Sequence, residues 1–87
     1  MKMKRFRVSE LEPVARDATR EALKACVPPS DEDRKLLTLG TMFTDEAVVF
    51  ELYVPGERPR DGRVISRATV NRTTGELVNV EVFLPKL

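Results

Sequence analysis

Glu51, Arg67 and Glu81 are the first candidates for chemistry in this chain of 87 residues, because strand pairing would set them in one row across a sheet. Two facing carboxylates can divide acid and base duties when their environments differ. An arginine between them can pair with either and turns the set toward a structural ion row. Asp31-Glu32-Asp33 offers oxygens to a hard cation but lacks the alternating ligands and the glycine of a calcium loop. It reads as a solvated turn or helix start. Cys26 is the single cysteine, so no intramolecular disulfide and no Cys-cluster metal site can form. It has no cationic or helix-N-terminal setting of the kind that activates a thiol, and reads as a small core residue. The chain holds no histidine. That removes Ser–His and Cys–His pairs, histidine metal ligation and imidazole catalysis. Gly56 and Gly62 flank a loop without phosphate-cradling spacing. The expectation is a protein that is not an enzyme and carries no cofactor and no metal.

Two basic clusters remain. Lys2, Lys4, Arg5 and Arg7 surround Phe6, and Arg58, Arg60 and Arg63 crowd a later loop. Nucleic-acid binding uses such charge on one continuous face of a domain that is basic overall. Here 15 basic residues stand against 14 acidic ones, for a net charge of +1. Solvated surface is the simpler reading, and a nucleic-acid-associated accessory protein is the alternative. The basic opening MKMKRFRV has no apolar run behind it, so it is not a secretory signal. No segment approaches the ~20 apolar residues of a membrane span. A cytoplasmic protein with no membrane partner is expected.

Hydrophobic residues make up 41% and charged residues 33% of the chain, ordinary for a globular protein, and the length suits one domain over residues 1–87. Residues 1–8 form an arm or a short edge strand. Ser9 and Glu12 make a capping-box pattern that starts a helix over residues 9–27, with Pro13 in its first turn and Pro28-Pro29 as its stop. Leu11, Val14, Ala15, Ala18, Ala22, Ala25 and Cys26 fall on one helical stripe. That stripe is mostly alanine, which permits close approach to a flat sheet. Residues 28–34 form a polar linker. Strands are predicted over about 35–43, 46–54, 64–70 and 78–84, the middle pair joined by PGERPRDG. The last turn, Thr73-Thr74-Gly75, suits a type I turn with Gly75 in the left-handed region. It sets Val70 opposite Val78 and Ser66 opposite Val82. The fold class is α+β, one N-terminal helix packed on a four-stranded antiparallel meander sheet covering residues 35–84.

The same registers assign both faces. Phe50, Ala68 and Val80 form one inward row, and Leu52, Ser66 and Val82 the next. Facing away from the helix, Leu36, Tyr53, Ile65 and Phe83 line up across all four strands, bordered by Glu51, Arg67 and Glu81. Such a patch, on the order of a few hundred Å², is either covered by the N-terminal arm through Met3 and Phe6 or is a surface for another protein or a second copy. The partner-binding candidates are therefore Leu36, Tyr53, Ile65, Phe83, Glu51, Arg67 and Glu81.

The stretch VNRTTGELVNVEV resembles the turn between the last strands of PepSY-type domains. The match rests on Val70, Asn71, Thr74, Gly75, Glu76 and Leu77, about a quarter of the chain, with Asn71 where the family usually has Asp. Helix-then-meander order is similar to PepSY and other cystatin-like domains, including small bacterial immunity proteins. The resemblance implies a non-catalytic module that binds another protein, often to inhibit it. With no export signal and no Gln-x-Val-x-Gly loop, the chain fits an intracellular immunity protein or inhibitor better than an exported protease regulator. A homodimeric structural subunit is a further alternative.

Overall fold

Segments rich in branched and aromatic residues, separated by Asp-, Gly- and Pro-containing turns, make the sheet of this protein. The computed structural model describes residues 5–87. They form α1 (Val8–Leu23), α2 (Asp31–Leu36), β1 (Thr38–Phe43), β2 (Ala47–Val54), a single helical turn at Pro59–Asp61, β3 (Arg63–Asn71) and β4 (Leu77–Val82). The strands lie in the order β1-β2-β3-β4, each pairing antiparallel with the next. This is the expected meander with α1 on one face. Of the predicted arm, residues 1–4, including Met3, lie outside the described residues.

α1 begins one residue before the expected start. The Arg7 N–H donates to the Glu10 carboxylate at 3.1 Å, so Glu10 rather than Glu12 closes back on the cap. Glu12 instead pairs with Arg16 at 2.6 Å. Pro13 consequently falls in the second turn, where it withholds the donor that the Ser9 carbonyl would take; Ser9 is exposed to solvent. The helix also ends earlier than Cys26 or Val27. After Leu23 the chain pairs with the C-terminal tail: Val27 N–H donates to the Pro85 carbonyl at 2.8 Å and Leu87 N–H to the Ala25 carbonyl at 3.0 Å. That bridge, centred on Cys26 and Lys86, outcompetes a further helical turn.

The predicted strand from residue 35 and the linker before it are corrected as well. Asp31–Leu36 is a helix whose cap, Ser30, accepts the Asp33 N–H at 3.2 Å. Acidic residues fill its first turn and Arg34 and Lys35 its last, the arrangement the helix dipole favours.

The core joins Leu11 and Ala15 of α1 to Val48 and Phe50 of β2 and Ala68 and Val70 of β3, with Phe6, Val8, Val14 and Val80 packed around it. Leu11, Val48 and Val70 are fully buried, each contributing about 1.5–3 kcal/mol by removal from water. Phe50 pairs with Ala68 and Ala68 with Val80, as the inward row requires. Ala68 is completely covered, and the small side chains at the centre of β3 let α1 lie close.

The β3–β4 turn holds Gly75 at φ +75°. The Asn71 side-chain oxygen accepts the Thr73 and Thr74 N–H groups at 2.8 and 3.0 Å, fixing the turn from within. The hairpin closes on Asn71 and Glu76, one residue wider than expected. Val70 therefore pairs with Leu77 rather than Val78, and the register shift that follows restores Thr69 to Asn79 and Ser66 to Val82. Val78 lands on the surface, 61% exposed.

Candidate interaction surface

An α-helix is about 10 Å wide, whereas four strands spaced about 4.8 Å apart present nearly twice that width. One helix cannot cover this sheet. α1 lies chiefly over β3 and β4 and barely reaches β2, so the inner face of β1 and part of β2 stay open beside it. The result is a groove of about 320 Å³ between α1 and β1, floored by Leu39, Phe50, Leu52 and Ser66 and walled by Ala15 and Leu23. Glu12, Arg16 and Arg20 stand on its α1 side. Its lining is almost wholly apolar. Beneath its floor, Ser66 is 1% exposed, and its hydroxyl has no hydrogen-bond partner among the described residues.

β1 continues this surface to the sheet's edge. Leu39 is 49% exposed, Met42 46% and Phe43 59%. Its six residues, Thr-Leu-Gly-Thr-Met-Phe, include no charge and no proline. These are the usual means of blocking an edge strand from pairing. The strand is flanked by polar anchors: Thr44 closes the β1–β2 turn on Ala47, and Arg72 reaches the Thr44 carbonyl at 3.3 Å while its guanidinium lies 5.6 Å from the Phe43 ring centre.

The sequence-derived row on the other face is only partly assembled. Leu36 sits on α2, not on β1, which removes it from the row. Ile65 is 3% exposed and is no surface residue. A β-bulge is the cause: Leu52 pairs with Ser66 but Tyr53 pairs with Val64, leaving Ile65 as the extra residue on β3. Ile65 and Ser66 are consecutive and both buried, which an unbroken strand alternation forbids. Phe83 lies just beyond β4, its N–H donating to the Ile65 carbonyl at 2.9 Å, and its side chain is 49% exposed. Tyr53 remains on the outer face, half-buried, with Cε1 3.3 Å from where a Cβ on Gly40 would stand.

The charged border behaves as an ion row on one side only. Glu51, Arg67 and Glu81 align across β2, β3 and β4. Arg67 Nε and Nη2 donate to one oxygen of Glu51 at 3.1 and 2.9 Å, while Glu81 is exposed and makes no ion pair with it. The guanidinium instead lies 5.6 Å from the Phe83 ring centre. Glu51 and Arg67 occupy a non-hydrogen-bonded position of the ladder, where side chains approach most closely, which explains the preference.

Cys26 is buried at 6% exposure, its thiol directed to the Ala22 carbonyl at 3.8 Å. Asp33 pairs with Arg63 at 2.5 Å, so two of the charged clusters meet each other. Among the described residues no group of three or more Cys, Asp or Glu side chains is placed to hold a metal. No helix among the described residues is long and apolar enough to cross a membrane. Phe6 packs against the helix side of the sheet and not over Tyr53 or Phe83. The groove and the β1 edge escaped the sequence reading, although the uncharged run Thr38–Phe43 and the width of one helix against four strands both signalled them. Against known proteins, the chain matches no family model, no curated protein and no solved structure.

Proposed function

We propose that this chain is a non-enzymatic protein-binding module of the inhibitor or immunity type, acting in the cytoplasm, and that it binds through β1 and the groove beside α1. One observation carries the reading: Leu39 and Phe43 are about half-exposed beside an apolar groove, Met42 is about half-exposed on the opposite face of the same strand, and no other strand among the described residues pairs with its outer edge. Exposed apolar surface of this kind, contiguous and edged by polar groups, is characteristic of contact sites rather than of solvated faces. Tyr53 and Glu51 border the same strand from the outer face, paired with Thr38 and Gly40, so two of the sequence-derived candidates adjoin this surface; Arg67, Glu81 and Phe83 lie farther across the sheet. The absence of histidine and the ion-paired state of the Glu51–Arg67 set favour binding over catalysis.

The test is affinity capture from native lysate with immobilised protein. Proteins retained by the wild-type chain should be lost with Leu39→Ser combined with Phe43→Ser, two exposed residues whose replacement leaves the core intact. Equal retention by the double variant, folded by circular dichroism, would place the contact surface elsewhere.

A further inference from the structure

The open edge of β1 has a fixed hydrogen-bonding parity. Thr44 N–H donates to the Ala47 carbonyl at 2.9 Å, which makes Thr44 and Ala47 a hydrogen-bonded pair of the β1–β2 ladder. Such pairs alternate along an antiparallel ladder. Met42 with Val49, Gly40 with Glu51 and Thr38 with Tyr53 are therefore hydrogen-bonded pairs, and Leu39, Thr41 and Phe43 turn their N–H and C=O groups to the free edge. The same three residues point their side chains to the α1 face, since they pair with Leu52, Phe50 and Val48.

We propose that the occupant of this edge is β1 of a second copy of the chain, paired antiparallel with Thr41 facing Thr41 on the two-fold axis. The inference rests on the reading of β1 as a contact surface above and names its occupant in the free protein, so that self-pairing competes with capture of another protein at the same edge. In this register every edge-directed group meets a partner: Leu39 exchanges hydrogen bonds with Phe43 of the second copy, Thr41 with Thr41, and Phe43 with Leu39. A register displaced by one residue sets outward groups against inward ones and is forbidden by the same parity.

Side chains agree with backbone. On the α1 face, Leu39 and Phe43 of the second copy become cross-strand neighbours, and Phe43 walls the side of the groove that α1 leaves open, next to Leu39 and Leu52. On the outer face, Gly40 stands opposite Met42 of the second copy. Gly40 has no side chain, and the Tyr53 ring occupies the space above it. The thioether of Met42 thus reaches an aromatic edge, a contact that sulfur favours. Thr41, at the axis, is small and uncharged, so two copies meet there without repulsion. The product is one continuous sheet, four strands from each copy, with both α1 helices on one side and no open β1 edge. Strand pairing with these few side chains falls at the small end of specific interfaces, so half-association is expected at about 1–100 µM chain.

Sedimentation equilibrium of the full chain from about 1 µM to about 1 mM reads the prediction directly. The wild-type chain should pass from monomer to dimer. Thr41→Pro should stay monomeric and folded, because the N–H that proline removes faces the free edge and not β2. Thr41→Asp, which sets two carboxylates against each other only across the axis, should also stay monomeric; it serves where the proline variant fails to fold. Mild oxidation of Thr41→Cys should give a covalent dimer in high yield, since facing residues of a hydrogen-bonded pair lie about 5.5 Å apart at Cα. Met42→Cys should cross-link far less. A wild-type chain that is monomeric at every concentration, a dimer indifferent to Thr41→Asp, or equal cross-linking at positions 41 and 42 would overturn the proposal. If the chain is monomeric yet its capture of another protein depends on Leu39 and Phe43, self-pairing fails and the protein-binding reading stands. If it is monomeric and captures nothing through those residues, both fail.

Discussion

The Phe6 ring lies against Gly75: two of its carbon atoms are 3.2 Å from where a Cβ on that glycine would stand. The contact ties the segment before α1 to the β3–β4 turn, and the Phe6 N–H reinforces it by donating to the Arg72 carbonyl at 2.8 Å. Gly75→Ala should therefore cost stability twice, once for an L-residue at positive φ, about 1–2 kcal/mol, and again for the displaced ring. The second part should vanish in a Phe6→Ala background. A double-mutant cycle by urea denaturation measures it, and strict additivity would show that the ring yields freely.

Ala68 is wholly buried where α1 crosses the sheet. Ala68→Leu should overpack this crossing and cost about 1–3 kcal/mol in chemical denaturation. Unchanged stability would mean that α1 is free to slide toward the open groove.

Ser66 should respond in the opposite direction. Its covered hydroxyl lacks a hydrogen-bond partner among the described residues, so Ser66→Ala relieves a desolvation penalty while keeping nearly the same volume. The melting temperature should stay level or rise, by the equivalent of at most about 1 kcal/mol. A loss of more than that would show that the hydroxyl is bonded in solution.

For Glu51 and Arg67 a modest effect is expected despite the two-pronged contact. The side chains retain 21% and 37% exposure, so solvent screens the pair. Glu51→Gln should cost under about 1 kcal/mol, and the loss should shrink in high salt. An effect of several kcal/mol would point to a far drier environment on the outer face.

The registers through the middle of the sheet were legible because alternation and the Thr-Thr-Gly turn specify them jointly. Phe50 with Ala68, Glu51 with Arg67 and Ser66 with Val82 all stand where that logic sets them. The departures trace to single-residue irregularities that an alternating pattern cannot report. One extra residue at Ile65 takes that side chain off the outer face, and one at Val78 exposes a valine read as inward. Leu36 was lost to the surface row because Ser30 and the acids after it cap a helix, a local signal that outweighs the apolar pair Leu36-Leu37. At the end of α1 the determining partner is the tail around Lys86, sixty residues away in sequence, and no local motif encodes it. The groove beside α1 was not legible for a related reason. Its exposure depends on how little of the sheet α1 covers, a property of the assembled layers and not of any one strand.

The meander also dictates an order of events. Each strand pairs with its sequence neighbour, so the sheet can close as successive hairpins at small entropic cost, whereas α1 must reach β3 and β4 across forty residues or more of intervening chain. The helix should therefore dock late, after the folding barrier is crossed. Leu11→Ala should then act almost entirely by accelerating unfolding, with refolding rates near those of the parent, while Val48→Ala in the sheet should slow refolding. Chevron plots of the two variants would show this as a split between opposite limbs. A chain that folds in this sequence carries its apolar sheet face bare for a time, and the exposed pairs Glu12–Arg16 and Glu21–Lys24 each favour the helical form of the late-arriving segment by about 0.2–0.5 kcal/mol.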